Sequence, residues 1–213
     1  MYIPPHFNVD DLAAKHALIR AHPFGTLVVM LDGKLEATHA PFLLDQDAGP
    51  HGRLRAHMAR SNPAWRTFDG KTEALAIFMG AEGYISPDWY ESAQQVPTWN
   101  YVAVHAYGVP KELDDQSAIR LLDDLSARHE HELLPKPPWT TTKLDASYFA
   151  KLRRAIVAFE IELTRLEGKA KLSQNKTSAD VEGAASALEA QRRALSGDLA
   201  GLMRGAFPRG KCR

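Results

Sequence analysis

The sequence predicts a mainly β fold, a barrel of six or seven strands with helices packed outside it. Three observations carry that expectation. Short runs rich in β-branched and aliphatic residues recur between turn signals, and Asp32-Gly33 is a two-residue hairpin signal between two of them. The helical stretches fall between strands without a regular strand–helix alternation, so a parallel α/β sheet does not follow. Neither an internal repeat nor a Gly-x-Gly-x-x-Gly segment occurs along the chain.

Each element has its own signal. Asn8 or Asp10 caps a helix running to about Ala21, with Leu12 and Ile19 two turns apart on one face, and His22-Pro23 ends it. Gly25 to Leu31 reads as the first strand and Lys34 to Leu44 as its return, with Thr38 and His39 near the middle. Asp47-Ala-Gly-Pro50 turns the chain into a third strand, Gly52 to Met58, after which Asn62-Pro63 opens a short helix. Ala74 to Met79 reads as a buried strand, followed by an aromatic loop from Gly83 to Tyr90. The next strand, Trp99 to Val109, sets Tyr101, Ala103, His105 and Tyr107 on one side and Val102, Val104 and Ala106 on the other. Asp114 caps a helix from Asp115 to about Leu134 with a stripe of Ile119, Leu122 and Leu125, stopped by Pro135-Lys-Pro-Pro138. A short helix around Asp145 to Arg153 precedes a long strand, Ala155 to Leu166.

From about Ser178 the composition shifts to Ala, Leu, Arg and Gly, which divides the chain into residues 1–177, the barrel, and 178–213, a helical and basic arm. Residues 191–213 carry Arg192, Arg193, Arg204, Arg209, Lys211 and Arg213 against Asp198 alone. The last part, with Gly197, Gly201, Gly205, Pro208 and Gly210, reads as a frayed end.

Composition bounds the function. The 213 residues are 45% hydrophobic, enough to bury a core, and 26 Lys+Arg balance 26 Asp+Glu at a pI near 7.1. Such a chain has no global field to attract nucleic acid or an anionic membrane. The single cysteine, Cys212, excludes an internal disulfide framework. Neither a signal peptide at Met1 to His6 nor an apolar stretch of spanning length is legible, so the expected compartment is the cytoplasm.

Two six-residue segments concentrate polar chemistry: Val96-Pro-Thr-Trp-Asn-Tyr101 and Lys171-Leu-Ser-Gln-Asn-Lys176. Amides, hydroxyls, a cation and an aromatic wall at strand ends suit a phosphorylated planar ligand, although ordinary turns use the same residue types. Arg60, Ser61 and Asn62 stand where a strand meets a helix start, a place whose free amides favour a phosphate. They read equally as a capped helix with a solvated Arg. The nine histidines lack metal-ligand spacing, and His129 and His131 lie two apart, off a common helical face, so no metal is expected. No acid–base or nucleophile arrangement is legible, so no catalytic residue is assigned.

The ordered motifs Met1-Tyr-Ile-Pro-Pro-His-Phe7, His22-Pro-Phe-Gly25, Thr38-His-Ala-Pro41, His57-Met-Ala-Arg-Ser-Asn-Pro63, Tyr84-Ile-Ser-Pro-Asp-Trp-Tyr90, Val96 to Tyr101, Glu167-Gly-Lys169 and Lys171 to Asn175 resemble the PaiB-type family of FMN-binding negative transcriptional regulators. The similarity covers roughly residues 1–190. It implies an FMN-binding split β-barrel with peripheral α-helices, a homodimer, and FMN as cofactor. It also implies a flavin environment of His57, Arg60, Ser61, Asn62, Trp99, Asn100, Lys171, Ser173, Gln174 and Asn175, with Arg60 and Lys171 near the phosphate and Trp99 and Asn100 near the isoalloxazine. The loop Tyr84 to Tyr90 closes the pocket or builds the dimer contact. Two functions stay open: a regulator that meets DNA through its basic arm or through a partner protein, and an FMN-dependent oxidoreductase, whose cofactor itself would carry the chemistry.

Overall fold

The computed structural model describes residues 1–191 and 196–206. Helix α1, Leu12–Ala21, leads to strands β1, Phe24–Leu31, β2, Lys34–Pro41, β3, Leu43–Asp45, and β4, Arg53–Ala59. Strand β5, Ala74–Ile85, and β6, Thr98–Glu112, precede α2, Asp115–His131, and α3, Ala146–Arg154. Strand β7, Ile156–Lys171, is followed by α4, Ser178–Ala190, and α5, Ser196–Gly205. The seven strands hydrogen-bond in the order β2-β1-β5-β6-β7-β4-β3, a linear order that ends at β2 and β3. The pairs β1–β2, β1–β5, β3–β4 and β4–β7 are antiparallel.

Contacts group the chain into two units. The first comprises Met1–Ala21, Met79–Val104 and the described residues from Glu167 on; the second comprises His22–Phe78 and His105–Leu166. In the second unit the hairpin signal holds: Leu31 faces Lys34, with Asp32 and Gly33 both at positive φ in the turn. Its core is aromatic, with Phe42 edge-on to Phe78 at 5.4 Å and to Phe159 at 6.2 Å. The expected single return strand breaks into β2 and β3 because Phe42 turns inward, its amide donating to the Pro23 carbonyl at 2.8 Å. Asn62 opens a five-residue 3-10 turn, its amide oxygen accepting from Ala64 N at 3.0 Å. On α2 the buried face is Ala118, Leu121 and Leu125, so the expected stripe of Ile119 and Leu122 is displaced by one residue.

In the first unit Asp11 precedes α1 where Asn8 or Asp10 is the expected cap, its carboxylate accepting from Ala13 N at 3.0 Å, and the helix buries His16 and Ile19 rather than Leu12. Strand β5 continues through residues read from sequence as loop and reaches Ile85. The core gathers Ala81, Ile85, Tyr90 and Val102 with Val181, Ala184, Ala185 and Leu188 of α4 and Leu199, Ala200 and Met203 of α5. Helix α5 thus stands where the glycines predict a frayed end. Three buried side chains along one face outweigh the helix cost of Gly197 and Gly201. Pro208 and Gly210 lie outside the described residues, as do Arg192, Arg193, Arg209, Lys211 and Arg213 of the basic arm.

Candidate functional site

The strand alternation of β6 separates Trp99 from Asn100. Asn100 points inward and is fully buried, and its Nδ2 donates to Ser173 Oγ at 2.8 Å. The other end of the amide, Oδ1, is buried without a partner. Ser173, two residues beyond the end of β7, lies in the left-handed region at φ 64°, a conformation a serine holds only when its surroundings fix it. Burial and the Asn100 bond supply that constraint.

A cavity of about 250 Å³ opens on this pair, lined by His6, Phe7, Tyr90, Val96, Thr98, Asn100, Lys171, Ser173, Asn175 and Lys176. Tyr90, which lines the same cavity, carries a second orphan, its buried hydroxyl without a partner. Lys171 Nζ donates to Thr98 Oγ1, and Lys176 Nζ donates to Gln95 Oε1 and lies 5.2 Å from the Tyr90 ring centre. An ammonium carries three donors, so each lysine retains capacity for a ligand. Asp180, at the start of α4, fixes the neighbouring loop by accepting from Ser92 N at 2.8 Å and Ser92 Oγ at 2.7 Å.

The structure therefore gathers Asn100, Lys171, Ser173 and Asn175 around one cavity, and leaves other expected residues elsewhere. Gln174 is used locally: its Nε2 donates to the Ala170 carbonyl at 2.6 Å and its Oε1 accepts from Leu172 N at 2.8 Å. Trp99 is 54% exposed on the other face of β6, edge-on to Tyr84 at 6.1 Å, beside a shallow depression with Met79, Glu82 and Tyr101.

In the second unit Arg60 is already engaged. Its Nη2 donates to Glu112 at 3.1 Å, its Nε to the Arg154 carbonyl at 3.2 Å, and its guanidinium lies 5.5 Å from the Trp65 ring centre. Asn62 donates to Thr38 Oγ1 as well as capping its turn, and Ser61 is exposed. His57 lines a separate pocket against α2 and α3. Sequence reasoning did not single out His6, Phe7, Tyr90, Val96, Thr98 or Lys176. All six lay inside the quoted segments, and the amide and ammonium chemistry that marked their neighbours applied to Lys176 as well.

A buried amide and a phenol with open hydrogen-bonding positions, flanked by two ammonium groups, define a site for a polar small molecule with electron-rich oxygens. Residues 1–165 match the family described as "Putative FMN-binding domain", and the chain belongs to that family. FMN is the cofactor that this membership assigns to it. "Protease synthase and sporulation protein PAI 2" of Bacillus subtilis is 35% identical over 181 residues, spanning 84% of this chain and 85% of that protein. Protein AN0679 of Emericella nidulans is 30% identical over 227 residues, spanning 89% of this chain and 90% of its own. Among solved structures, the FAD and heme binding protein from Mycobacterium smegmatis superposes with a TM-score of 0.58 at 18% identity, covering 77% of this chain and 73% of that one. The flavocytochrome Anf3 from Azotobacter vinelandii gives 0.55 at 13% identity, covering 79% and 72%. At such identities the likeness is one of fold.

Proposed function

We propose that the Asn100 cavity receives the pyrimidine edge of FMN and that the protein works as a dimeric negative regulator of transcription. The observation that carries the first part is the unpartnered amide end of Asn100. The flavin edge offers one N–H between two carbonyls, so Asn100 Oδ1 accepts the N–H while the Tyr90 hydroxyl and the ammonium groups of Lys171 and Lys176 donate to carbonyl oxygens. When bound, the flavin supplies a two-electron redox centre; the chain supplies orientation and positive charge. A cavity of about 250 Å³ suits part of such a ligand, not all of it.

Three features support a dimer with split-barrel architecture: the linear strand order, the shared fold, and an apolar face of Met79, Tyr84 and Trp99 left exposed in the first unit. A two-fold pair buries such a face on both copies at once. Regulation of transcription rests on the resemblance to the PaiB-type regulators, with DNA met through the basic arm or through a partner protein.

The test compares FMN with riboflavin. Lys171→Met is expected to weaken both about equally, by roughly ten-fold, because it removes a charge-assisted contact to the ring. A loss confined to FMN would instead put the phosphate at Lys171 and contradict the ring-edge assignment.

A further inference from the structure

We propose that the pocket at His57 is a second ligand site, one that takes an uncharged, single-ring aromatic molecule carrying a hydroxyl or N–H donor. The pocket has a volume of about 180 Å³, and its walls include Leu122, Trp139, Leu144, Phe149, Leu152 and Ile156. An apolar wall of this kind selects an apolar body, and the volume is below that of the sites that hold drug-sized ligands. Ser126, Thr141 and Arg153 also line the pocket, but the atom left without a hydrogen-bond partner is His57 Nδ1, which is buried. Burial lowers the pKa of His57, so the imidazole is neutral at physiological pH. A neutral imidazole nitrogen without a partner accepts a hydrogen bond when its proton sits on the other nitrogen, and in that tautomer the ligand is the donor.

The walls are held in place without the ligand. Trp139 N donates to Glu130 Oε2 at 2.7 Å, Thr141 Oγ1 to Asp123 at 2.6 Å, and Arg153 Nη2 to Asp115 at 3.3 Å. Arg153 is thereby paired with a carboxylate, and an anionic ligand would have to compete for it. Preformed walls keep the ordering cost of binding low. The site lies within the second unit and owes nothing to the Asn100 cavity.

Phenol and anisole are matched probes that differ in the donor. Binding of each to the FMN-loaded full-length protein is followed by ligand-observed NMR. Phenol is expected to bind about ten-fold more tightly than anisole, the value of one hydrogen bond to a buried acceptor. His57→Phe should abolish that preference while both probes still bind. Should His57→Phe fail to fold, Leu152→Glu at the exposed rim must weaken both probes. Equal binding of the two probes, absence of saturable binding, a preference that survives in His57→Phe, rim substitution without effect, or displacement of phenol by FMN would each overturn the proposal.

Discussion

Asn100 is fully buried, yet only one end of its amide is used, by Ser173. Turning the amide over exchanges the orphan oxygen for an orphan NH2, so one end lacks a partner in either orientation. Leaving such a group buried costs about 1–3 kcal/mol, a cost that a ligand relieves and that a purely structural core would avoid. The two segments that build the cavity were legible from composition, since both crowd amides and hydroxyls at strand ends. Their internal division was not. Trp99 and Asn100 share a motif but face opposite sides of β6, and Gln174 hydrogen-bonds the backbone of its own segment. Arg60 reads from sequence as a phosphate fork; in the structure one arm of that fork meets Glu112, 52 residues away in sequence, at 3.1 Å. Asp180 shows the same long-range effect. Burial works to raise its pKa, yet hydrogen bonds from Ser92 and Thr177 outweigh that and hold it at about 2. A carboxylate depressed in the folded state contributes stability above its unfolded value of about 3.9, and that contribution is lost as pH falls toward the folded value. We therefore expect urea unfolding of the wild type to lose on the order of 1–2 kcal/mol between about pH 5 and pH 2 through this group alone. In Asp180→Asn that part of the acid sensitivity should be absent; an unchanged pH profile would contradict the assignment.

Among the elements, strands with turn signals at both ends were legible, and β1, β2 and β4 begin and end within a few residues of the expected positions. Boundaries failed where a distant element decides them. The extension of β5 to Ile85 follows from packing on α4 and α5, whose buried residues lie about a hundred positions later. Helix α5 follows the same logic, since only its partners reveal that Leu199 and Met203 are core. Helix α4 approaches the 3-10 turn Pro87–Trp89 so closely that a Cβ at Gly183 would stand 2.3 Å from the Trp89 carbonyl oxygen. An alanine in a helix interior is ordinarily favourable by up to about 1 kcal/mol over glycine. Here a backbone atom blocks it, so Gly183→Ala is expected to destabilise by about 1–3 kcal/mol in chemical denaturation. Because Tyr90 follows that turn and lines the cavity, FMN affinity should fall as well. Equal or greater stability of Gly183→Ala would show that the helix and turn are not in that contact.

For the whole molecule, balanced charge gives no global field to attract DNA, so the expected contact runs through a partner protein or through the basic arm. Within its described part, Arg204 is bound to Glu182, with Nη2 2.8 Å from Oε1, and to Glu189. This pairing takes one cation away from the arm's positive excess. A truncation that probes the arm must also spare α5: ending the chain at Ala190 would remove Leu199 and Met203 from the core, whereas ending it at Ala206 keeps them. The proposed dimer would form through the exposed apolar face of the first unit. If Trp99 lies in a two-fold interface, Trp99→Lys buries a charge on both copies and should convert the dimer to monomer in sedimentation at micromolar concentration. A wild-type protein that sediments as a monomer at every concentration would remove the dimer from this account.

The central claim is that FMN binds through the Asn100 cavity. It is tested most directly by titrating FMN into flavin-free protein while following quenching of flavin fluorescence, for the wild type and for Asn100→Leu in parallel. The wild type is expected to saturate at one FMN per chain. Asn100→Leu, folded by circular dichroism, should bind at least about ten-fold more weakly, since the leucine leaves the ring N–H unpaired. Equal affinity for the two proteins would place the flavin elsewhere and contradict the account.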